Sequence, residues 1–326
     1  MPRLLTERDV RALLPMPDLI ASMARALDAY SSGQVDQPVR TVVGVPAHRA
    51  FFGVMPAALG DPPALGAKLV TVYPGNHDRG LPSHLAVIVL FDHATGALIA
   101  LMDGRYITEA RTAAVSAVSV STLARPDAST LAIIGSGVQA RSHVEALAHV
   151  HAWADVRVWS PNAAHLDTFV GDARGQGHAV RAAESAAAAV RDADVVVLAT
   201  SSATPVVGDG DIRPGTHVCA VGACRPDTRE MPASLVARSR FFVDSRAGAL
   251  KEAGDLLLAI GDGAVSASHI AAELGDVVGG RAAGRRGADE ITIFKSLGMA
   301  VEDVTTAHLV LERAAAIGAG TGFGLD

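Results

Sequence analysis

A glycine-rich turn is the first place in this sequence where residue types and spacing indicate chemistry. Residues 131–140 read LAIIGSGVQA, in which four apolar residues lead directly into Gly135, Ser136, Gly137, Val138 and Gln139. An alanine- and leucine-rich stretch with helical spacing follows, so the segment predicts a strand, a tight turn and a helix. Gly135 permits the turn, and Gly137 lets the backbone approach a pyrophosphate at the helix N-terminus. The pattern favours a dinucleotide site; a strand–helix turn without a ligand is the alternative.

The end of the next strand bears on which dinucleotide is used. A site that prefers NAD usually carries an acid about 20 residues past the glycines, where it binds the ribose 2′-hydroxyl. Here that place reads Trp159-Ser160-Pro161-Asn162, which contains no acid. Without a carboxylate to repel a 2′-phosphate, NADP(H) is preferred and NAD(H) stays possible, since no arginine is there to bind the phosphate. The simpler interpretation makes Ser160 a helix N-cap and Pro161 the first helical residue.

Three basic side chains in the first third of the chain are candidates for binding an anion. Lys68 lies inside an apolar strand, AKLVTVYPGN, where a lysine is costly unless it is paired or faces a cleft. Arg111 stands near the start of a long helix, and Arg40 opens a strand. Cations that converge on a cleft bind a carboxylate, and arginine does so bidentately. For each residue alone, a solvated charge or a salt bridge is the alternative.

The elements that carry these cations predict helices followed by a mostly antiparallel sheet. Thr6 begins a helix, with Asp9 completing a capping box, and a second helix is expected from Pro17 to about Tyr30. Strands are predicted within 38–59 and over 64–74, 84–92 and 97–104. This order is not that of a parallel βαβ unit.

From Ile107 the pattern changes to that of a doubly wound domain. A long alanine- and serine-rich helix, with Thr108 as its cap, is expected to end before Pro126. Strands then alternate with helical stretches: LAIIG, VRVWS, DVVVLAT, THVCAVG and RFFVDS. This alternation predicts a parallel sheet with right-handed crossovers. The fold class is therefore α/β, with a Rossmann-type domain over 117–299 and an α+β substrate and dimerisation domain built from 1–116 and 300–326.

Composition narrows the function classes. A chain of 326 residues suits one large domain or two ordinary ones, and its net charge of −6 gives no reason to expect nucleic acid. The two cysteines, Cys219 and Cys224, fit neither a disulfide framework nor a zinc site, so we expect no metal and a reducing compartment. The charged N-terminus is unlike a signal peptide, and no apolar run has membrane-spanning length. We expect a soluble, cytoplasmic protein without membrane partners.

Several segments together resemble the ornithine cyclodeaminase/mu-crystallin family. In chain order they are KLVTVYPGN, GLPSHLAVIVLFD, TGALIALMDGRYITEARTAA, LAIIGSGVQA, VGACRPDTREM and FKSLGMAVEDV. The resemblance runs from about Leu4 to Arg313. It implies a split first domain, a Rossmann domain and a homodimer whose first domains pair. It also implies a nicotinamide dinucleotide and a small α-amino or α-imino acid as substrate.

The resemblance assigns roles to individual positions. Arg40, Lys68 and Arg111 match positions that bind the substrate carboxylate, and Lys68 is also the candidate for proton handling near the imine. Thr112 is expected near the nicotinamide, Thr200 and Ser201 along the cofactor edge, and Lys295 and Ser296 beside the active site. The full set of expected cofactor-binding residues is Thr112, Gly135, Ser136, Gly137, Val138, Gln139, Ser160, Asn162, Thr200, Ser201, Val221, Lys295 and Ser296.

One position departs from the cyclodeaminase pattern. Cyclodeaminases and some alanine dehydrogenases carry an aspartate two residues after the glycine that ends the fifth strand, whereas here Gly222 and Ala223 are followed by Cys224. A thiol is neutral at pH 7 unless its pKa is lowered, so it does not supply that carboxylate. Asp227 would need a different loop path to replace it. Cys224 is a candidate catalytic residue, with a small buried residue without chemistry as the alternative.

Ketimine reductases and pyrroline-2-carboxylate reductases of the family resemble this segment better, since they have a neutral residue followed by RPD. We therefore expect NAD(P)H-dependent reduction of an α-imino acid, such as pyrroline-2-carboxylate or piperideine-2-carboxylate, to the L-amino acid. Ornithine cyclodeaminase or alanine dehydrogenase activity is the first alternative. A non-catalytic, NADPH-dependent binder of small ligands like mu-crystallin is the second.

Overall fold

The computed structural model describes residues 1–324 and divides into two compact units. Unit 1 comprises Met1–Arg111 together with the chain from Gly298 onward, and unit 2 comprises Thr112–Leu297. The mixed architecture confirms the predicted α/β class. Within the described residues, no helix is both long and apolar enough to cross a membrane.

The elements follow one another in three stretches. The first contains β1 (Arg3–Leu5), α1 (Glu7–Leu13), α2 (Met16–Ser31), β2 (Val35–Asp36), β3 (Thr41–Val45), β4 (Ala50–Gly60), β5 (Pro63–Val72), β6 (His84–Phe91), β7 (Leu98–Asp103) and α3 (Arg105–Leu123). The second contains β8 (Thr130–Ile134), α4 (Val138–Ala148), β9 (Asp155–Trp159), α5 (Ala163–Gly175), β10 (Val180–Ala182), α6 (Ala186–Val190), β11 (Val195–Leu198), β12 (His217–Ala220), α7 (Ala233–Ala237), β13 (Arg240–Val243), α8 (Arg246–Glu252), α9 (Gly254–Gly261), β14 (Ile270–Glu273), α10 (Leu274–Val278) and β15 (Thr292–Lys295). The third contains α11 (Ala300–Ile317) and β16 (Thr321–Gly322).

Local signals explain where the helices of unit 1 begin. The predicted capping box of α1 is confirmed, because the Thr6 hydroxyl accepts from the Asp9 N–H while the Asp9 carboxylate accepts from the Thr6 N–H. The expectation that Thr108 caps the long helix is wrong. The helix starts three residues earlier, at Arg105, because the Asp103 carboxylate accepts from the Arg105 N–H at 3.0 Å. Thr108 lies inside the helix, and its hydroxyl donates to the Gly104 carbonyl.

The sheet of unit 1 is mostly antiparallel, as predicted, in the order β16-β1-β7-β6-β5-β4-β2 with β3 also on β4. Alternate residues of β4 to β7 are buried beneath α11, which packs on β4, β5 and β6. One inward row runs across four strands through Met55, Lys68, Ile88 and Met102. Lys68 is the charged member of this otherwise apolar row.

Unit 2 contains a parallel sheet in the order β10-β9-β8-β11-β12-β15-β13-β14. Its central strands β11, β12 and β15 are continuous runs of buried residues, as expected for a sheet covered on both faces. The first five strands reproduce the 3-2-1-4-5 order of a dinucleotide-binding fold. The last strand of unit 2 in chain order, β15, then lies between β12 and β13, an arrangement that the sequence pattern does not predict.

Candidate functional site

Lys68 lies on the inner face of the sheet in unit 1 and is only 1% exposed. Its Nζ is 2.6 Å from Asp303 Oδ2 and donates to the Thr108 hydroxyl at 3.4 Å. Burial lowers the pKa of Lys68 to about 8; the charges of Arg111 and Arg40 lower it as well, while Asp303 opposes the shift. Lys68 is therefore mostly protonated at pH 7 but loses its proton far more readily than an ordinary lysine.

Arg111 is held from two sides by consecutive acids of α11. Its Nη1 donates to Glu302 Oε2 at 2.8 Å and its Nε to Asp303 Oδ1 at 3.1 Å. Gly298 makes room for the guanidinium, because a Cβ at that position would lie 2.4 Å from Arg111 Nη1. The positive φ of Gly298, +82°, also favours glycine there. The arginine is thus oriented by its neighbours before any substrate binds.

Arg40 joins these two cations. It is half-buried, and its Nη2 donates to the Gly298 carbonyl at 3.3 Å. The structure therefore brings together all three cations singled out in the sequence, in one cluster with Glu302 and Asp303. Three basic side chains that meet in a largely buried place are suited to binding a carboxylate. We call these five residues the Lys68 cluster.

Sequence reasoning missed three residues at this place. Glu302 and Asp303 are fully buried, yet two acids in the first turn of a helix have an ordinary explanation in the helix dipole. The sequence feature that could have identified them is a pair of acids within an otherwise apolar helix. His84 lies on the same face of the sheet as Lys68. Burial, followed by the charges of Lys68 and Arg111, lowers the pKa of His84 to about 4, so it is neutral at pH 7.

The glycine turn of unit 2 lies at the carboxyl end of β8, whose neighbours in the sheet are β9 and β11. This is the point where strand order reverses and where doubly wound sheets bind ligands. Gly135 has a φ of +122°, and a Cβ there would lie 2.4 Å from the Ala199 carbonyl oxygen. Its N–H donates to the Trp159 carbonyl at 2.8 Å. Only glycine fits this contact between the turn and the loop after β11.

The start of α4 fits the pyrophosphate of a dinucleotide. Gly137 is its N-cap residue, is exposed, and has no atom within 4 Å of a would-be Cβ. No side chain of the described residues caps this helix end, which leaves its N–H groups to an anion. Ser136 is half-buried beside it and Val138 is exposed. The buried Gln139 Oε1 has no hydrogen-bond partner within residues 1–324.

The end of β9 shows how Ser160 and Asn162 are used. The expectation that Ser160 caps the helix and that Pro161 begins it is wrong, since α5 starts at Ala163. Asn162 is the cap, and its side-chain oxygen accepts from the His165 N–H at 3.0 Å. Asn162 caps the helix instead of Ser160 because its short amide side chain reaches the first free N–H groups of the helix.

The remaining predicted cofactor residues lie in α3 and in the loops after β11, β12 and β15. Thr112 is buried in α3, Ser201 is exposed, and Val221 and Ser296 are buried. Lys295 is fully buried with its Nζ 3.0 Å from Asp255 Oδ2. Thr200 donates through its N–H and its hydroxyl to Glu230 Oε1, at 2.7 and 2.8 Å. Sequence reasoning missed Glu230 and Asp255, because the partner of each acid is distant in the chain.

Cys224 is half-buried in the loop after β12. Its thiol donates to the Val221 carbonyl at 3.2 Å and lies 3.7 Å from the Ser296 carbonyl oxygen. Asp227 is exposed and forms a 2.6 Å ion pair with Arg225. The acid closest in sequence is thus bound by a surface arginine instead of taking the place of a carboxylate at position 224.

Comparisons with known proteins agree over nearly the whole chain. A sequence model of the ornithine cyclodeaminase/mu-crystallin family matches residues 2–318. The ketimine reductase mu-crystallin of Rattus norvegicus is 43% identical over 297 residues, 90% of this chain and 91% of that protein. The Δ1-pyrroline-2-carboxylate reductase of Thermococcus litoralis, solved with NADH and L-proline, is 39% identical with a TM-score of 0.96, covering 98% of this chain and 100% of its own. An archaeal alanine dehydrogenase dimer with bound NAD is 30% identical with a TM-score of 0.94, covering 100% and 99%.

Proposed function

The chain belongs to the ornithine cyclodeaminase/mu-crystallin family, and from this premise we propose that it reduces an α-imino acid to the L-amino acid with a nicotinamide dinucleotide. The observation that carries the proposal is the Lys68 cluster, which brings three basic side chains together in a largely buried place. Relatives named as a ketimine reductase and as a pyrroline-2-carboxylate reductase support a cyclic imine as the substrate.

In this proposal Arg111 and Arg40 bind the substrate carboxylate. Arg111 is fixed by Glu302 and Asp303, and Arg40 is tethered to the Gly298 carbonyl. Because both guanidinium groups are already oriented, little conformational entropy is lost when the carboxylate binds. A fixed carboxylate in turn fixes the neighbouring C=N carbon, and such positioning is a major part of catalysis in a two-substrate reaction.

Lys68 supplies the proton. Reduction adds a hydride to the imine carbon and a proton to the nitrogen, so each turnover that starts from a neutral imine consumes one proton. The bound dinucleotide supplies the hydride. The Lys68 ammonium has a pKa of about 8 and a carboxylate partner at 2.6 Å, so it is charged at neutral pH and able to release its proton.

Cys224 supports reduction over deamination. Loss of ammonia from ornithine needs a base to activate water or an amine, and in the cyclodeaminases an aspartate occupies the equivalent position. The Cys224 thiol donates to the Val221 carbonyl, and the nearby Asp227 is bound to Arg225 at the surface. In this proposal Cys224 is a neutral residue at the position where the cyclodeaminases carry their base, and the enzyme releases no ammonia from ornithine.

For the cofactor, we infer that NADP(H) is preferred over NAD(H). Ser160, Pro161 and Asn162 follow β9 without an acid that would repel a 2′-phosphate. Asn162 uses its side-chain oxygen as a helix cap, which leaves its NH2 group as a donor to a phosphate oxygen. A ratio of kcat/KM for NADPH over NADH below one would contradict this part of the proposal.

A homodimer through the outer face of the sheet in unit 1 is also part of the proposal. One of its outward rows is apolar and only half-buried, and it consists of Pro56, Ala67, Val89 and Leu101. An apolar sheet face of this extent needs a cover, and the archaeal alanine dehydrogenase is a dimer. Val89→Asp is expected to give a monomer in sedimentation analysis. Ile317→Asp, at an exposed position of α11, serves as the control and remains dimeric.

A cytoplasmic location completes the proposal. Both cysteines, Cys219 and Cys224, are free thiols. Free cysteines are stable in a reducing compartment, where disulfides are rare. Fractionation of the cells that make the protein tests this location, and recovery with an exported marker enzyme would contradict it.

The test of the function is a substrate panel with the purified protein. NADPH or NADH is combined in turn with pyrroline-2-carboxylate, piperideine-2-carboxylate, pyruvate with ammonia or methylamine, and ornithine. Oxidation of the dinucleotide with the cyclic imines, and no ammonia from ornithine, is the expected result. Ammonia release from ornithine would identify a cyclodeaminase. Tight binding of NADPH without turnover on any substrate would identify a binding protein.

A further inference from the structure

The loops after β11 and β12 touch each other closely in unit 2. A Cβ on Gly222 would lie 2.1 Å from the Thr200 carbonyl oxygen and 2.6 Å from Glu230 Oε1. Both loops follow the carboxyl ends of parallel strands, which is where ligands of a doubly wound sheet bind. The conformation of these loops therefore affects how a dinucleotide binds.

One buried carboxylate ties the two loops together. Glu230 Oε1 accepts from the N–H and the hydroxyl of Thr200, and Glu230 Oε2 accepts from the Gly222 N–H at 2.7 Å. The Glu230 carbonyl also accepts from the Val206 N–H, further along the first loop. All three hydrogen bonds to the side chain are accepted, which is the pattern of an ionised carboxylate.

Asp255 and Lys295 hold Glu230 in place. Asp255 Oδ1 accepts from the Glu230 N–H at 2.7 Å, and Asp255 Oδ2 is 3.0 Å from Lys295 Nζ. All three side chains are fully buried. This group, which we call the Glu230 triad, contains two acids and one lysine. Burial raises the pKa of Glu230, while Lys295 and the Thr200 donors oppose that shift.

Stability alone does not explain why a charged group of this kind is buried. Desolvation of ions costs several kcal/mol each, and well-packed apolar residues are often at least as stabilising. What the Glu230 carboxylate adds is geometry, since it fixes two backbone N–H groups from loops that are 22 residues apart in sequence, at positions 200 and 222.

We propose that Glu230 is a positioning residue for the dinucleotide, acting through the loops at Thr200 and Gly222, with Asp255 and Lys295 as its support. Lys295 then acts through Asp255 and Glu230 instead of contacting the cofactor. The inference rests on the proposed function only in requiring that the chain binds a nicotinamide dinucleotide. It does not depend on which imine is reduced.

The test is equilibrium binding of NADH and NADPH to Glu230→Gln, without any imine. Glutamine keeps the size of the side chain, but its NH2 group then faces one of the donors at Thr200 or Gly222 and opens the contact between the loops. We expect the dissociation constant to rise by about tenfold or more, as for loss of a hydrogen bond to a charged group. In steady-state assays KM for the dinucleotide rises while KM for the imine is unchanged.

Asp194→Asn is the matched control. Asp194 is also a buried acid of unit 2 that accepts from two backbone N–H groups, those of Ser129 and Thr130. It precedes β11, so it lies at the amino end of that strand, opposite to Thr200. This variant is expected to lose thermal stability and to keep the wild-type dissociation constant for the dinucleotide.

The outcomes separate the two proposals. If the wild-type chain binds neither dinucleotide, both the proposed function and this inference fail. If the wild type binds and Glu230→Gln binds equally well, or if Asp194→Asn weakens binding to the same degree, the positioning role is wrong. Should Glu230→Gln not fold, Glu230→Asp takes its place, because the shorter acid keeps the charge and cannot reach both loops; wild-type binding by that variant would equally overturn the inference.

Discussion

The Lys68 cluster and the Glu230 triad each contain a fully buried lysine paired with an aspartate, yet the two lysines differ in chemistry. Burial lowers the pKa of Lys68 to about 8, with Arg111 and Arg40 adding to the shift. Burial also acts to lower the pKa of Lys295, but Asp255, together with Glu230, outweighs it and raises that pKa. The balance of neighbouring charges, and not burial itself, decides which lysine releases a proton near neutral pH.

The same difference decides what each group can bind. In the Lys68 cluster the basic side chains outnumber the acids, and the half-buried Arg40 belongs to it, so the cluster is suited to an anionic substrate. In the Glu230 triad the acids outnumber the lysine, and the Glu230 carboxyl oxygens accept from the N–H groups of two loops. One buried pair is therefore suited to substrate chemistry and the other to the shape of the cofactor-binding loops.

The largest expected effect is on catalysis by Lys68→Ala. Removal of the proton donor and of one cation is expected to lower kcat/KM for the imine by about 10²–10⁴-fold, the range of general acid catalysis. Affinity for the dinucleotide, measured by titration, is expected to stay within twofold of the wild type, since Lys68 belongs to unit 1. Lys251→Ala, at an exposed lysine of unit 2, is the control with wild-type turnover. Near-normal turnover in Lys68→Ala would refute the role of the cluster.

For the free energy of unfolding, we expect substitution of Lys295 to have a larger effect than substitution of Lys68. Lys295→Met leaves Asp255 and Glu230 without their buried cation and is expected to reduce the free energy of unfolding by about 3–5 kcal/mol. Lys68→Met leaves Asp303 paired with Arg111 and is expected to cost less. Denaturant titration of both variants measures the difference. A larger loss in Lys68→Met would show that the charge balance described for the two groups is incorrect.

The pH profile gives a smaller but more specific effect. Since the protonated form of Lys68 donates, kcat/KM is expected to fall as pH rises through about 8. Lys68→Arg remains protonated throughout this range, so the variant is slower and lacks that decline. Lys251→Arg is the control and retains the wild-type profile. A decline of the same shape in Lys68→Arg would assign the titration to the imine instead of the lysine.

The smallest expected effect concerns the room beside Arg111. Gly298→Ala adds a Cβ at 2.4 Å from Arg111 Nη1 in a backbone with φ of +82°, so the guanidinium has to move. We expect an increase of several-fold in KM for the imine with little change in KM for the dinucleotide. Gly261→Ala, at a position in α9 with open space around it, is the control. An unchanged KM in Gly298→Ala would mean that the position of Arg111 is not critical.

Much of the fold followed from local patterns. Strand and helix periods predicted the parallel sheet of unit 2 and the mostly antiparallel sheet of unit 1, and the Thr6 capping box was correct. The errors were also local. At the start of α3, Asp103 binds the first N–H group, where Thr108 was expected as the cap. At the start of α5, Asn162 is the cap, where Ser160 was expected. Several short polar residues stand at each of these helix starts, and only the backbone path decides which one reaches the free N–H groups.

By itself, the sequence determined the glycine turn after β8, because a tight turn with close backbone contact leaves no choice but glycine at position 135. It also singled out Lys68, since a charged residue in an apolar strand needs an explanation. Only the tertiary structure decided the partners: Arg111 and Asp303 are 192 residues apart, and Thr200 and Glu230 meet across two loops. Charge balance depends on distances in space, so the chemistry of Lys68 and Lys295 follows from the fold and not from their sequence neighbours.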